Sequence, residues 1–201
     1  LLTWTDVPTT LFMGLSLIGG FGVASFFAYL ATSAFVLIDH YGLTPRQYGV
    51  AFAVNAAAFI GASQLTARLG SRFGLAPMAK VAVTVYAFIM ASALAVQLAG
   101  VQDLWVMLAL LFAGYGALGL VVPTSMVLSL EAHGAIAGAA SAVAGPLHFV
   151  CGTLVMGPVS LFADGDPVPM LTAIAASAAM ACAFAWGTLR RHVESSASTA
   201  A

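Results

Sequence analysis

The sequence predicts an all-α integral membrane protein of six transmembrane helices, and three observations carry that prediction. Asp, Glu, Lys and Arg make up 6% of the 201 residues, against roughly 25% in a soluble domain. These few charges delimit six long charge-free intervals, 6–39, 46–68, 80–103, 103–131, 131–164 and 166–190. Each holds the ~20 residues that carry an α-helix across a hydrocarbon core of about 30 Å. The alternating pattern of a β-barrel strand is absent, and helices are then the spanning form that satisfies its own backbone. A hydrophobic fraction of 62% and a mean hydropathy of +1.04 exclude a water-exposed fold. Spans are expected at about 11–37, 47–67, 77–99, 104–129, 136–162 and 168–189 within one domain covering 1–201, with no room for a soluble domain.

The elements follow in order. The first helix carries Gly14, Gly19, Gly20 and Gly22, then Ser25, Phe26, Phe27 and Tyr29. Thr44-Pro45-Arg46-Gln47 is a capping box with proline at the first helical position, so the second helix starts there. That helix places Asn55 in line with Tyr48, Phe52 and Phe59 at helical spacing. Gly70-Ser71-Arg72-Phe73-Gly74 is expected to break the chain before the third helix, and Gly100-Val101-Gln102-Asp103 to turn it into the fourth. The fourth carries Gly114, Tyr115, Gly116, Gly119 and Pro123; His133-Gly134 separates it from the fifth. The fifth carries Gly138, Gly145-Pro146, His148, Gly152 and Gly157-Pro158, and Asp166-Pro167 opens the sixth.

The third and sixth helices, rich in Ala, Val, Met and Leu, are expected to be lipid-facing supports. The other four are expected to wall a cavity. Proline removes a helix hydrogen bond and glycine lets backbones approach or bend. Pro123, Gly145, Pro146, Gly157 and Pro158 are therefore candidates for helix flexing; the competing reading is that small residues simply let membrane helices pack.

Basic residues sort to one side. Arg68, Arg72 and Lys80 share the second connection and Arg190 and Arg191 the tail, which six spans put on the same face; Arg46 alone lies opposite, among Asp39, Asp103, Asp164 and Asp166. Both ends of the chain are therefore expected in the cytoplasm. A net charge of −1 without a basic stripe gives no purchase for nucleic acid. Cys151 and Cys182 lie in apolar segments with no CxxC pattern, so neither metal nor cofactor is expected. The chain opens on Leu1-Leu2-Thr3-Trp4 with Asp6 ahead of the first apolar run, unlike a signal peptide, and is expected to begin in mid-protein.

Two polar residues lie deep in spans. Asn55 reads either as a hydrogen bonder to a substrate or as interhelical glue. His148 reads either as a functional ionisable group or as a neutral imidazole bonded across a helix interface. No Asp or Glu occupies the centre of a span, so if the chain belongs to a proton-driven carrier the coupling acid must lie elsewhere. An intramembrane serine protease would need its nucleophile beside its base; Ser141 and His148 stand about 10 Å apart along one helix, and no G-x-S-x-G elbow exists. An enzyme is not expected. A half-size carrier or a structural six-helix protein that dimerises is the alternative.

Phe27-Ala28-Tyr29, Ser33-Ala34-Phe35-Val36-Leu37, Tyr41-Gly42-Leu43-Thr44-Pro45 and Phe52-Ala53-Val54-Asn55-Ala56 run on into Ala62-Ser63-Gln64-Leu65-Thr66-Ala67-Arg68-Leu69. That series closely resembles the start of the C-terminal half of Bcr/CflA-type drug-resistance transporters of the major facilitator superfamily. Leu130-Glu131-Ala132-His133-Gly134, Ala137-Gly138-Ala139-Ala140-Ser141-Ala142 and Leu147-His148-Phe149 resemble a later loop and helix of the same half. Ala67-Arg68-Leu69-Gly70-Ser71-Arg72 looks like a degenerate copy of the superfamily's D-R-x-G-R-R loop. The resemblance implies a charge latch at a cytoplasmic gate loop of Arg68, Gly70 and Arg72; the plain alternative is membrane anchoring by the two arginines. Members commonly have Gln where this chain has His148.

The resemblance further implies twelve helices in two halves, each an inverted three-plus-three repeat, with substrate at the midplane between them. It implies a multi-pass protein of a bacterial inner membrane, in contact with the lipid bilayer, that exports small amphipathic drug-like molecules in exchange for protons. The missing N-terminal six-helix half would be its partner. The residues expected at the substrate cavity are Phe26, Tyr29, Asn55, Tyr115 and His148.

Overall fold

The computed structural model describes residues 9–131, 137–162 and 164–199, with side chains for 12–130, 138, 140–162 and 164–188. The expected His133-Gly134 boundary and the side chains of Arg190 and Arg191 lie outside them. The elements are α1 (Thr9–Ala34), continued by a π-helical turn (Phe35–His40), then α2 (Pro45–Gln64), α3 (Thr66–Phe73), α4 (Leu75–Leu98), α5 (Leu104–Glu131), α6 (Ala137–Ser160) and α7 (Pro167–Thr199). Six helical segments are long and apolar enough to cross a membrane, with α2 and α3 together forming the second.

Local chemistry sets the boundaries. Thr44 Oγ1 accepts the Gln47 backbone N–H (3.3 Å) and Gln47 Oε1 accepts that of Thr44 (2.9 Å), a complete capping box. Asp103 Oδ1 accepts from the N–H groups of Trp105 and Val106 at the head of α5, and Asp166 Oδ1 from Val168 at the head of α7. The α2–α3 junction corrects the expected loop. Gly70, Ser71, Arg72 and Phe73 are helical, and the chain breaks only at Gly74, whose φ is +84°. Glycine alone takes that conformation without strain. The bend sits earlier, at Leu65, whose N–H closes a tight bond to Ala62 three residues back (2.9 Å).

Packing centres on α1 and α5, which touch each other. Helix α1 also packs on α6 and α7; α5 packs in the same way on α2 and α4; α4 and α7 meet behind them. Exchanging the first three spans with the last three leaves this pattern unchanged. Because three crossings separate α1 from α5, the two repeats run in opposite senses. Glycines set the closest approaches. A Cβ on Gly19 would strike His148 Nε2 and Ser125 Oγ (both 2.8 Å), while on Gly119 it would land on the backbone carbonyl of Phe59 in α2.

The placing of α4 and α7 corrects a second expectation. They supply a large share of the core, with Val83, Tyr86 and Met90 from one and Met170, Leu171, Ile174 and Ala178 from the other fully or almost fully buried. Only their outer stripes, with Val81, Val85, Phe88 and Met180, face outward. The least covered apolar stretches are α2–α3, 11% buried, and α6, 17% buried, against 50% for α1. Ala-rich helices pack closely because they present little side chain, and that buries rather than exposes them.

Gly119→Val should drive α2 off α5 and lower stability by about 1–3 kcal/mol. Gly116→Ala, where an added Cβ meets nothing within 4 Å, should leave it unchanged. Thermal unfolding of both variants in detergent checks this; a Gly119→Val transition at the wild-type temperature would refute the close approach.

Candidate functional site

Three helices turn regular stripes towards one cavity of about 290 Å³. From α1 come Gly22, Phe26 and Tyr29, one and two turns apart; from α2 come Phe52, Asn55, Phe59 and Ile60; from α5 come Tyr115, Leu118 and Val122. Each set follows the i, i+3, i+4, i+7 spacing of one helix face. The volume sits at the lower edge of the range typical of small-molecule sites, roughly 300–1,000 Å³.

Aromatic rings organise the walls. Tyr29 stacks on Phe52 (centroids 5.9 Å apart, 10° between planes) and leans on Tyr115 (5.0 Å). Phe26 meets Tyr115 edge-on at 6.2 Å, and Tyr48 extends the cluster beyond Phe52 at 6.1 Å. Offset and edge-to-face contacts of this kind contribute about 0.5–1.5 kcal/mol each beyond area burial. They fix the rings as a rigid apolar surface.

The polar groups are mostly paired. Asn55 Nδ2 donates to the Tyr29 hydroxyl (3.0 Å), tying α2 to α1. Tyr48 and Ser33 share a hydrogen bond (3.1 Å), as do Tyr86 and Ser25, whose own hydroxyl donates to the Gly22 carbonyl (2.7 Å). Tyr115 differs. It is 2% exposed, and its hydroxyl has no hydrogen-bond partner. A buried, unpaired hydroxyl costs about 1–3 kcal/mol.

Four of the five residues expected at a substrate cavity, Phe26, Tyr29, Asn55 and Tyr115, line this one. His148 does not. It sits on α6 against Gly19 and Gly20, on another flank of α1, where its imidazole hydrogen-bonds to the backbone of Ser16. The apolar sequence around His148 gave no indication of which neighbour its helix would meet. Phe59 and Ile60 were not among the expected residues, although the stripe through Phe52 and Asn55 points to the former. Ser141 Oγ donates to Gly138 in its own helix, so it is not paired with His148 as a nucleophile with its base. Arg68 and Arg72 are exposed on α3, with Gly70 between them against the Leu75 side chain. Among the described residues no group of His, Cys, Asp and Glu could hold a metal ion.

No family model matches the chain. Over 159 residues it is 30% identical to a protein of Bacillus subtilis (strain 168) described as an uncharacterized MFS-type transporter, YdgK. The match takes in 79% of this chain and 39% of that protein, so the chain spans well under half of the relative's length. The likeness is to a protein described as a transporter of the major facilitator superfamily (MFS) type.

Tyr115→Phe removes an unpaired hydroxyl and should leave stability equal or raise it by about 1 kcal/mol. Tyr29→Phe strands the Asn55 amide and should cost about 1 kcal/mol or more. Thermal unfolding of the two variants side by side separates them; equal losses would mean that the Tyr29–Asn55 bond does not form.

Proposed function

We propose, from the likeness to an MFS-type transporter, that this chain belongs to the major facilitator superfamily and forms the C-terminal six-helix half of a Bcr/CflA-type exporter of small amphipathic drug-like molecules driven by protons. The observation that carries the reading is the aromatic cavity between α1, α2 and α5, with Asn55 hydrogen-bonded at its wall. Flat, apolar rings take up varied apolar substrates with little geometric demand, while a single amide and the tyrosine hydroxyls supply orientation. The sparse burial of the second and fifth spans supports a second six-helix half docking over α2 and α6. The N-terminal half would complete the cavity and lie on the same chain.

Proton coupling falls to that other half. In and between the described spans the carboxylates are confined to helix ends and connections, at Asp39, Asp103, Glu131, Asp164 and Asp166. Both ends of the chain would face the cytoplasm of a bacterium, with Arg68, Gly70 and Arg72 at the inner gate. Bending would come from Pro123, Pro146 and Pro158, each inside a continuous helix. Gly145 and Gly157 precede the two α6 prolines, and an added Cβ there would meet nothing within 4 Å. Packing therefore does not demand glycine at either position, which supports a backbone role.

In the intact transporter, Asn55→Leu should abolish the Tyr29 bond and weaken export of at least one substrate by roughly tenfold, the scale of one lost hydrogen bond in a polar recognition site. Resistance assays across a drug panel check this. Full resistance to every drug that the parent exports would sink the assignment of Asn55, and transport that persists without a proton gradient would sink the coupling.

A further inference from the structure

A second apolar concavity, of about 440 Å³, lies apart from the aromatic cavity. It runs between α3, α4 and α5, where Leu69, Phe73, Pro77, Val81, Val85 and Ala117 line it. Helix α5 turns one face, with Tyr115 and Leu118, to the aromatic cavity and an adjoining face, with Ala117, to this groove. Phe73 and Val81 are 60% and 64% exposed, so no described residue covers it.

Its mouth is basic. Leu69 and Phe73 are one turn apart on α3 and enter the groove; Arg68 and Arg72, also one turn apart, flank them and are exposed. The Arg72 guanidinium rests over the Phe73 ring, 5.4 Å from its centroid. Neither arginine makes an ion pair with any described residue. Along α4 the groove extends from Pro77 to Val85, about 12 Å at 1.5 Å per residue. That is close to one leaflet of a hydrocarbon core about 30 Å thick.

We propose that this groove holds one acyl chain of an anionic phospholipid, whose phosphate is paired by Arg72 and Arg68. A phospholipid joins the two required chemistries at the required separation, an apolar chain one leaflet long and an anion at its interfacial end. Guanidinium groups match phosphate oxygens in bidentate geometry. A protein helix covering the same groove would have to supply acids at its end or leave two cations unpaired, which is costly. The site is independent of the transport reading, since it needs neither the aromatic cavity nor a second half.

The test uses the full chain in nanodiscs of equimolar phosphatidylcholine and phosphatidylglycerol, extracted into detergent and weighed by native mass spectrometry. Phosphatidylglycerol should be retained in preference to phosphatidylcholine. Arg68→Gln with Arg72→Gln should lower that retention roughly tenfold, since each basic residue near the surface favours anionic lipid several-fold. Val81→Trp, which fills the groove without touching either arginine, should lower it as well, and Arg46→Gln at the other end of the bundle should not. Unfolding temperatures confirm that each variant is folded. Equal retention of the two lipids would overturn the proposal. So would retention that survives Val81→Trp, which would mean headgroup attraction alone, or a cross-link from Val81→Cys to a second copy or another protein in place of lipid.

Discussion

Water is absent from the interior of a bilayer, and every backbone polar group carried into it must find its partner within the protein. That constraint orders this molecule at each level. It forces the six apolar segments into helices. It turns hydroxyls back onto their own helix, as with Thr32 on Ala28, Thr124 on Leu120 and Thr153 on Phe149. It also pairs longer side chains across helices, Asn55 with Tyr29 and Tyr86 with Ser25. Because interhelical apolar contact has no hydrophobic drive in lipid, close backbone approach has to take its place. The glycines of α1 and α5 provide it.

The same packing explains where the aromatic cavity lies. Helix α2 leans on α5 and scarcely on its neighbours in sequence, so a wedge opens between α2 and α1. Phe52, Tyr29 and Tyr115 fill the floor of that wedge, and the Asn55–Tyr29 bond spans it. On the symmetry-related side, α6 lies against α1 through Gly19, Gly20 and Gly152. Two arrangements alike in topology thus differ in their contacts, one built of glycine and the other of rings.

Much of this is legible in the sequence, for physical reasons. Charge-free length reports the spans because charge is so costly in hydrocarbon. Thr44-Pro45-Arg46-Gln47 and Asp166-Pro167 mark helix starts because their side chains satisfy local backbone groups, whatever the tertiary fold. The line from Phe52 through Asn55 to Phe59 is readable because one helix face is periodic. What is not legible depends on partners distant in sequence. His148 resembles a cavity residue by type, yet the flank of α1 it meets is set by helix packing. Burial of α4 and α7 is hidden as well, since a lipid-facing and a helix-facing alanine look alike. Helix α3 escapes notice because glycine and serine read as breakers, although only Gly74 has the backbone geometry of one.

The exchange-symmetric packing has a consequence for how the chain is made. Helices α1, α2 and α4 are adjacent in sequence yet make almost none of their contacts with one another; their partners are α5, α6 and α7. When the first three spans have emerged from the ribosome, the helices of this domain on which they chiefly pack have still to follow. The glycine faces of α1 gain their neighbours in this domain only when α5 and α6 arrive. Within these six helices the order of contacts therefore differs from the order of synthesis, since the second three spans supply most of the partners of the first three.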